Sequence, residues 1–232
     1  MLSARWIRLG SIEALDLRAA SLGLAEAQHA AARPIMLWGR ARSGLCLGPR
    51  TAREGGLAPC RNGEQDALVW VDARNFAFAM LAPVRIAPRC TRWASWALAP
   101  ALATYRQFGV HAYLEGNAIW LHGRRLADSS TLSVAGCVIV ASSFPDRCGL
   151  AANAPTREAR PSFRAWLRGG AALARTEWAD PNEMPAERAL EEALRVRIEA
   201  QHDWRFEHSW PDARESAAIE RVRATLEPLD VL

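Results

Sequence analysis

Lysine is absent from the 232 residues: all 29 basic side chains are arginine. A Schiff base, or any step that needs a side-chain ammonium, is therefore excluded. No stretch approaches the ~20 uninterrupted apolar residues that span a bilayer. The opening "MLSARWIRLG" has no apolar segment long enough for a secretory signal, so a cytoplasmic location is expected. The cysteines (46, 60, 90, 137 and 148) are odd in number and form no C-x-x-C pair. Free buried thiols are expected. His29, His111, His122, His202 and His208 lack metal-ligand spacing. His202 and His208 flank "DWRFE" without a cysteine or acidic partner in a zinc pattern, so no metal site is expected. A P-loop, a G-x-G-x-x-G after a strand and a G-x-S-x-G nucleophile elbow are all missing.

What is present suits a globular protein: half of the chain is hydrophobic and 23% is charged. That length fits one domain, or one domain with a small appendage. The net charge is +4 and the pI about 9.1, but the arginines are scattered among acids rather than massed in one run. An arginine-only, alanine-rich chain reflects a GC-rich genome more than selection for guanidinium.

Residues 11–32 predict a helix, with Leu15, Ala19, Leu22 and Ala25 at spacings of three and four and Ser11 as cap. Residues 34–40 and 43–50 predict strands, and 51–66 a loop. Residues 67–72 and 75–83 predict a hairpin whose second arm is half-buried, because Phe76, Phe78 and Met80 alternate with alanines. Residues 92–109 predict a helix that Pro100 kinks or splits. Short strands follow over 111–116, 117–122, 124–129 and 136–144, then a Pro- and Arg-rich connection over 145–161. Helices are predicted over 162–174, 184–201 and 212–229. Pro185 suits the first turn of the 184–201 helix, where acids come early and arginines late. The order gives an α+β fold with a mixed, largely antiparallel sheet flanked by helices. A domain over 1–180 carries a helical C-terminal extension over 181–232.

Three segments resemble the superfamily of lipoate–protein ligases, biotin–protein ligases and octanoyltransferases. "RPIMLWGRARSGLCLGP" is similar to its "LRLW…P…LG" strand pair. "RNGEQDALVWVDARNFAFAMLAP" (61–83) is similar to "RRxxGGGAVxHDxGNxxYSxxxP". "FGVHAYLEGNAIWLHGRRLADSS" (108–130) is similar to "LGxxAxxxGxNDIxVxGRKISGSA". Together they cover about residues 10–145. The resemblance implies that superfamily's catalytic-domain fold. If the chain is active, it also implies ATP with lipoate or octanoate as ligands, and a lipoyl or biotinyl carrier domain, or a partner ligase, as partner.

The departures concentrate where the superfamily does its chemistry. Arg61 keeps the first motif arginine, and Asn62 replaces the second. Three glycines that let backbone approach the acyl chain and adenylate phosphate fall on Gln65, Asp66 and Ala67. The resemblance implies that side chains at these positions would fill that space, and that Asp66 would place negative charge near a phosphate. The motif histidine is Val71, while Asp72 is retained. Asn117 is kept, but the aspartate after it is Ala118. Gly123 and Arg124 are kept, and the lysine is Arg125. "SGS" has become Ala127-Asp128-Ser129.

The resemblance thus implies Arg125 as the group in the catalytic position. It also implies Trp38, Arg61, Asp66, Asp72, Asn117, Gly123, Asp128 and Ser129 as ligand-binding positions. Trp38 equally suits a core. Asp72 equally suits a turn, and Asn117 a turn or strand end. Strand alternation sets Arg125 and Asp128 on opposite faces, which excludes a salt bridge between them unless the strand bulges.

Three readings stand. The site has lost adenylation and binds an acyl or lipoyl ligand, a carrier or a partner. Alternatively it is an active lipoate or octanoate ligase or acyltransferase, with Cys148 in "DRCGL" as nucleophile. A basic adaptor or RNA-binding protein is the third, with tryptophans stacking on bases, although membrane and nucleic-acid partners are not expected from the composition.

Overall fold

A computed structural model describes residues 1–28, 33–41, 44–46, 69–71, 75–121, 124–145 and 187–226. Ten strands and four helices run in the order β1 (Leu2–Ile12), α1 (Ala14–Ala27), β2 (Ile35–Ala41), β3 (Gly44–Cys46), β4 (Val69–Val71), β5 (Asn75–Pro83), α2 (Trp93–Gln107), β6 (Tyr113–Glu115), β7 (Ala118–Leu121), β8 (Arg124–Val134), β9 (Cys137–Pro145), α3 (Glu187–His202), β10 (Trp204–His208) and α4 (Ala213–Thr225). Eight strands form one sheet, ordered β10-β1-β2-β5-β9-β8-β7-β6. β1 pairs parallel with both β10 and β2, and every other pairing is antiparallel. The expected α+β class, with a mixed and largely antiparallel sheet between helices, is what the chain adopts.

Each face of the sheet is buried under two helices. On one, Trp6, Trp38, Phe76, Phe78 and Met80 pack with Leu98 and Ala101 of α2 and Leu190, Leu194 and Ile198 of α3. On the other, Ile7, Leu37, Ala77, Ala79 and Leu81 pack with Leu17, Leu22 and Leu24 of α1 and Val222 of α4. β5 is therefore not half-buried as its alternation suggested. Phe76 through Ala82 are all at most 2% exposed, with large residues toward α2 and α3 and mostly small ones toward α1. The alanines record a close helix above them, not solvent.

The first strand departs from the sequence reading, which placed a helix from residue 11. Ser11 lies in β1, and α1 begins after Glu13, whose side chain makes no cap hydrogen bond. Arginines interrupt the apolar pattern of β1 and hide its period. Each is matched by an acid distant in sequence. Arg5 makes a bidentate pair with Glu215 at the start of α4, with Nη2 donating to Oε2 over 2.9 Å. Arg8 Nε and Trp6 Nε1 both donate to Glu191 Oε1 on α3, over 2.7 and 2.8 Å. A bulge between Arg8 and Gly10 shifts the β1–β2 register, with Gly10 at φ +67°. Gly39 faces it so closely that a Cβ there would lie 2.9 Å from the Gly10 carbonyl oxygen.

Three further expectations need correction. Residues 67–83 do not form one hairpin, because β4 pairs with β3 in a separate two-stranded ribbon. α2 is not split: it runs unbroken through the buried Pro100, and Thr104 Oγ1 donates to the Pro100 carbonyl over 2.9 Å. The C-terminal tail is not purely helical, since it supplies β10 to the edge of the main sheet. The helix expected over 162–174 lies outside the described residues. α4 starts at a capping box, in which Asp212 Oδ1 accepts from Glu215 N and Glu215 Oε2 accepts from Asp212 N.

Candidate functional site

The second and third resembling segments meet in space. β3 and β4 pair through Gly44↔Val71, Leu45↔Trp70 and Cys46↔Val69. β4 lies against β8, β9 and β5, and β3 lies beside α1. The strand that follows the altered glycine positions is thus held next to the strand that carries Arg125.

The β7–β8 ladder is irregular at that point. Ile119 pairs with Ala127 and Trp120 pairs with Arg125, so Leu126 is an extra residue on β8. Directly opposed residues of an antiparallel pair belong to one face, as do positions two apart on a strand. Arg125 stands opposite Trp120, and Asp128 stands opposite Ala118, two residues further back on β7. The bulge therefore sets the register positions of Arg125 and Asp128 on one face, which corrects the opposite-face expectation. Bulges of this kind re-aim a strand and are enriched beside binding and active sites.

The β6–β7 hairpin closes with a two-residue turn, Gly116-Asn117, in which Gly116 adopts φ +59°. The Asn117 carbonyl accepts both the Ser129 amide (3.0 Å) and the Ser129 hydroxyl (2.7 Å). Ser129 is fully buried and pairs across β8–β9 with Ser142, which is also buried. The Ser129 hydroxyl braces the turn to the strand just beyond the bulge. Ser143 on β9 is buried too. Neither β9 serine was singled out from sequence, where the hydroxyls ending the apolar run "GCVIVASSF" were the available signal.

Trp38 is 2% exposed, stacks on Phe76 at 4.7 Å between ring centroids and leans on Trp6 at 6.1 Å. It faces α2 and α3 as part of the core. The guanidinium of Arg40, two residues along β2, sits 4.6 Å over the Phe76 ring. Arg61, Asp66, Asp72, Gly123 and Cys148 lie outside the described residues, and Arg125 and Asp128 are placed by backbone register. Cys137 is a free buried thiol, and burial pushes its pKa up, which disfavours the nucleophilic thiolate. Among the described residues, no cluster of three or more His, Cys, Asp or Glu side chains could hold a metal. Nor, among them, is any helix long and apolar enough to cross a membrane.

No protein-family model matches the sequence, and no curated protein matches it significantly. Solved structures do match in shape. A bipartite lipoate protein ligase from Thermoplasma acidophilum, studied with its E2 lipoyl domain, aligns with TM-score 0.70 at 12% identity over 100% of both chains. Lipoate-protein ligase A bound with ATP aligns with TM-score 0.70 at 10% identity, over 96% of this chain and 95% of that one. LipL1 of P. falciparum in complex with lipoate aligns with TM-score 0.59 at 13% identity, over 98% of this chain and 73% of that one. Similarity at this level of identity establishes architecture, and the architecture of this chain is the lipoate-protein ligase fold.

Proposed function

We propose that this protein binds an acyl or lipoyl group, or a lipoyl carrier domain bearing one, without forming an acyl-adenylate. One observation carries the reading: the motif position that resembles the ligase lysine is Arg125, on a bulged strand, in a chain with no lysine anywhere to replace it. An ammonium is a compact, movable point charge. A guanidinium is a planar fork that stays protonated and donates in a fixed geometry. That fork suits the carboxylate of a fatty acid or lipoate, which it can hold bidentately. It does not reproduce a donor that follows charge from carbonyl to phosphate during adenylation.

The neighbouring changes act in the same direction. ATP needs bare backbone amides around its phosphates, and the sequence supplies Gln65, Asp66 and Ala67 at the motif glycines. In this proposal Arg125 and Arg61 hold the carboxylate of the free acid, or the acyl carbonyl oxygen when the group is on its carrier. Asn117 and Ser129 fix the strand end beneath it, and Gly123, Asp72 and Asp128 border the space. Loss of one oxyanion-type donor costs about 10²–10³-fold in rate, and several elements are altered here together. The lipoyl carrier is the favoured partner because a structural neighbour was studied with its E2 lipoyl domain.

The test mixes the pure chain with ATP, magnesium and lipoate or octanoate, follows acyl-AMP by mass spectrometry, and measures binding of the acid and of an octanoylated lipoyl domain by calorimetry. Binding without acyl-AMP is the expected result. Robust acyl-AMP formation refutes the loss of adenylation, and absence of all binding refutes the binding role.

A further inference from the structure

We infer that the outer edge of β10 is a docking surface for a second copy of the same strand, and that the Glu199 carboxylate holds this surface shut. Among the described residues, β10 is the terminal strand of the main sheet and pairs with β1 alone. Leu2 N donates to the Asp203 carbonyl over 2.8 Å, and Ser209 N donates to the Trp6 carbonyl over 3.1 Å. In a parallel ladder, alternate residues of a strand turn both backbone groups to the same neighbour. The odd-numbered residues from Asp203 to Ser209 therefore face β1, and Trp204, Phe206 and His208 turn theirs outward. Such a row of groups is a template for strand addition.

The middle of that row is occupied. The outward Phe206 amide donates to Glu199 Oε1 over 2.8 Å, and Glu199 is held there by Arg195 at 3.2 Å. α3 thus lends the sheet edge one side-chain acceptor, placed on the amide that a pairing strand needs first.

The strand it excludes is identified by charge. Arg205 and Glu207 are both exposed on β10. In an antiparallel pair centred on Phe206, Arg205 lies opposite Glu207 of the second copy, and the twofold axis repeats the match. Trp204 then lies opposite His208. A parallel, unshifted pair sets like charge against like. Glu207 has a loose ion pair with Arg33 at 3.5 Å, both side chains more than half exposed. Arg205 has no ion pair among the described residues. Cross-strand charge pairs add little individually, and a five-residue seam is far smaller than a stable interface, so the dimer is weak once opened.

The experiment uses the full chain in sedimentation equilibrium over a loading series, with hydrogen exchange at the Phe206 amide. Glu199→Ala is expected to move the average mass from the wild-type value toward twice that value as concentration rises. Its Phe206 amide exchanges about tenfold faster when dilute, as loss of a charge-assisted hydrogen bond implies, and is protected again when concentrated. Adding R205E returns the protein to wild-type association, and R205E with E207R restores the dimer. If Glu199→Ala misfolds by circular dichroism, Glu199→Gln carries the same series with smaller shifts. A mass profile identical to wild type despite a faster Phe206 amide overturns the inference, and so does a dimer indifferent to R205E.

Discussion

Replacement of Gly23 by alanine sets two familiar effects against each other. Gly23 lies inside α1, where alanine stabilises a helix relative to glycine by about 1 kcal/mol. Gly23 is also where α1 and α4 cross. A Cβ built there lies 2.6 Å from both the Cα and the backbone nitrogen of Ile219, and 2.9 Å from the carbonyl carbon of Ala218. All three are backbone atoms, so no rotamer change relieves the overlap, and α4 must retreat by roughly 1 Å to reach ordinary van der Waals separation. Overpacking of this kind costs about 1–3 kcal/mol, and a rigid obstacle belongs near the top of that range. The retreat also stretches the pairs Arg223–Asp16 (3.0 Å) and Arg221–Glu26 (3.2 Å), which are partly exposed and contribute little. The net expectation is destabilisation of about 1–2 kcal/mol, read from the urea midpoint with the slope unchanged. A midpoint that rises, as helix propensity by itself demands, refutes the backbone-contact argument.

Three more outcomes follow from the described geometry. Glu191→Ala strands the buried Trp6 indole N–H and frees Arg8; it should cost about 2–4 kcal/mol in chemical denaturation, and Glu191→Gln less, because an acceptor remains. Asp212→Ala removes the side-chain half of the α4 capping box and should cost about 1 kcal/mol, seen as a lower thermal midpoint. His202 lies between Trp96 (4.7 Å) and Trp204 (4.8 Å), neither ring nitrogen has a hydrogen-bond partner among the described residues, and burial lowers its pKa to about 4. The unfolded chain takes up this proton near pH 6.5 and the folded chain does not, so stability is present above that pH and falls as acid is added toward pH 4. The loss reaches about 3 kcal/mol at most, and His202→Phe should flatten that part of the pH–stability curve.

Elements that carry their own local residue pattern were legible in the sequence. β2 and β9 stand out as apolar runs, β5 through its alternation, and α3 through early acids and late arginines. β1 and β10 were not read, because their meaning depends on distant residues. Arg5 and Arg8 look like surface charges until Glu215 and Glu191 arrive from opposite layers. "WRFEH" does alternate with period two, but its five residues gain a role only beside β1. The β8 bulge was equally hidden, since one extra residue leaves no mark on composition, yet it decides which face Arg125 shares. The candidate site was legible as a set of substitutions against a resembling motif, and the structure adds that β4 and β8 are adjacent.

The most direct measurement is lipoate-dependent exchange of labelled pyrophosphate into ATP, which reports reversible adenylation without a carrier protein. The account predicts exchange at the no-lipoate background for the wild-type chain, alongside measurable binding of octanoate that Arg125→Ala weakens. Exchange well above background, abolished by Arg125→Ala, would contradict it, because a guanidinium would then be performing the step assigned here to an amine this chain does not possess.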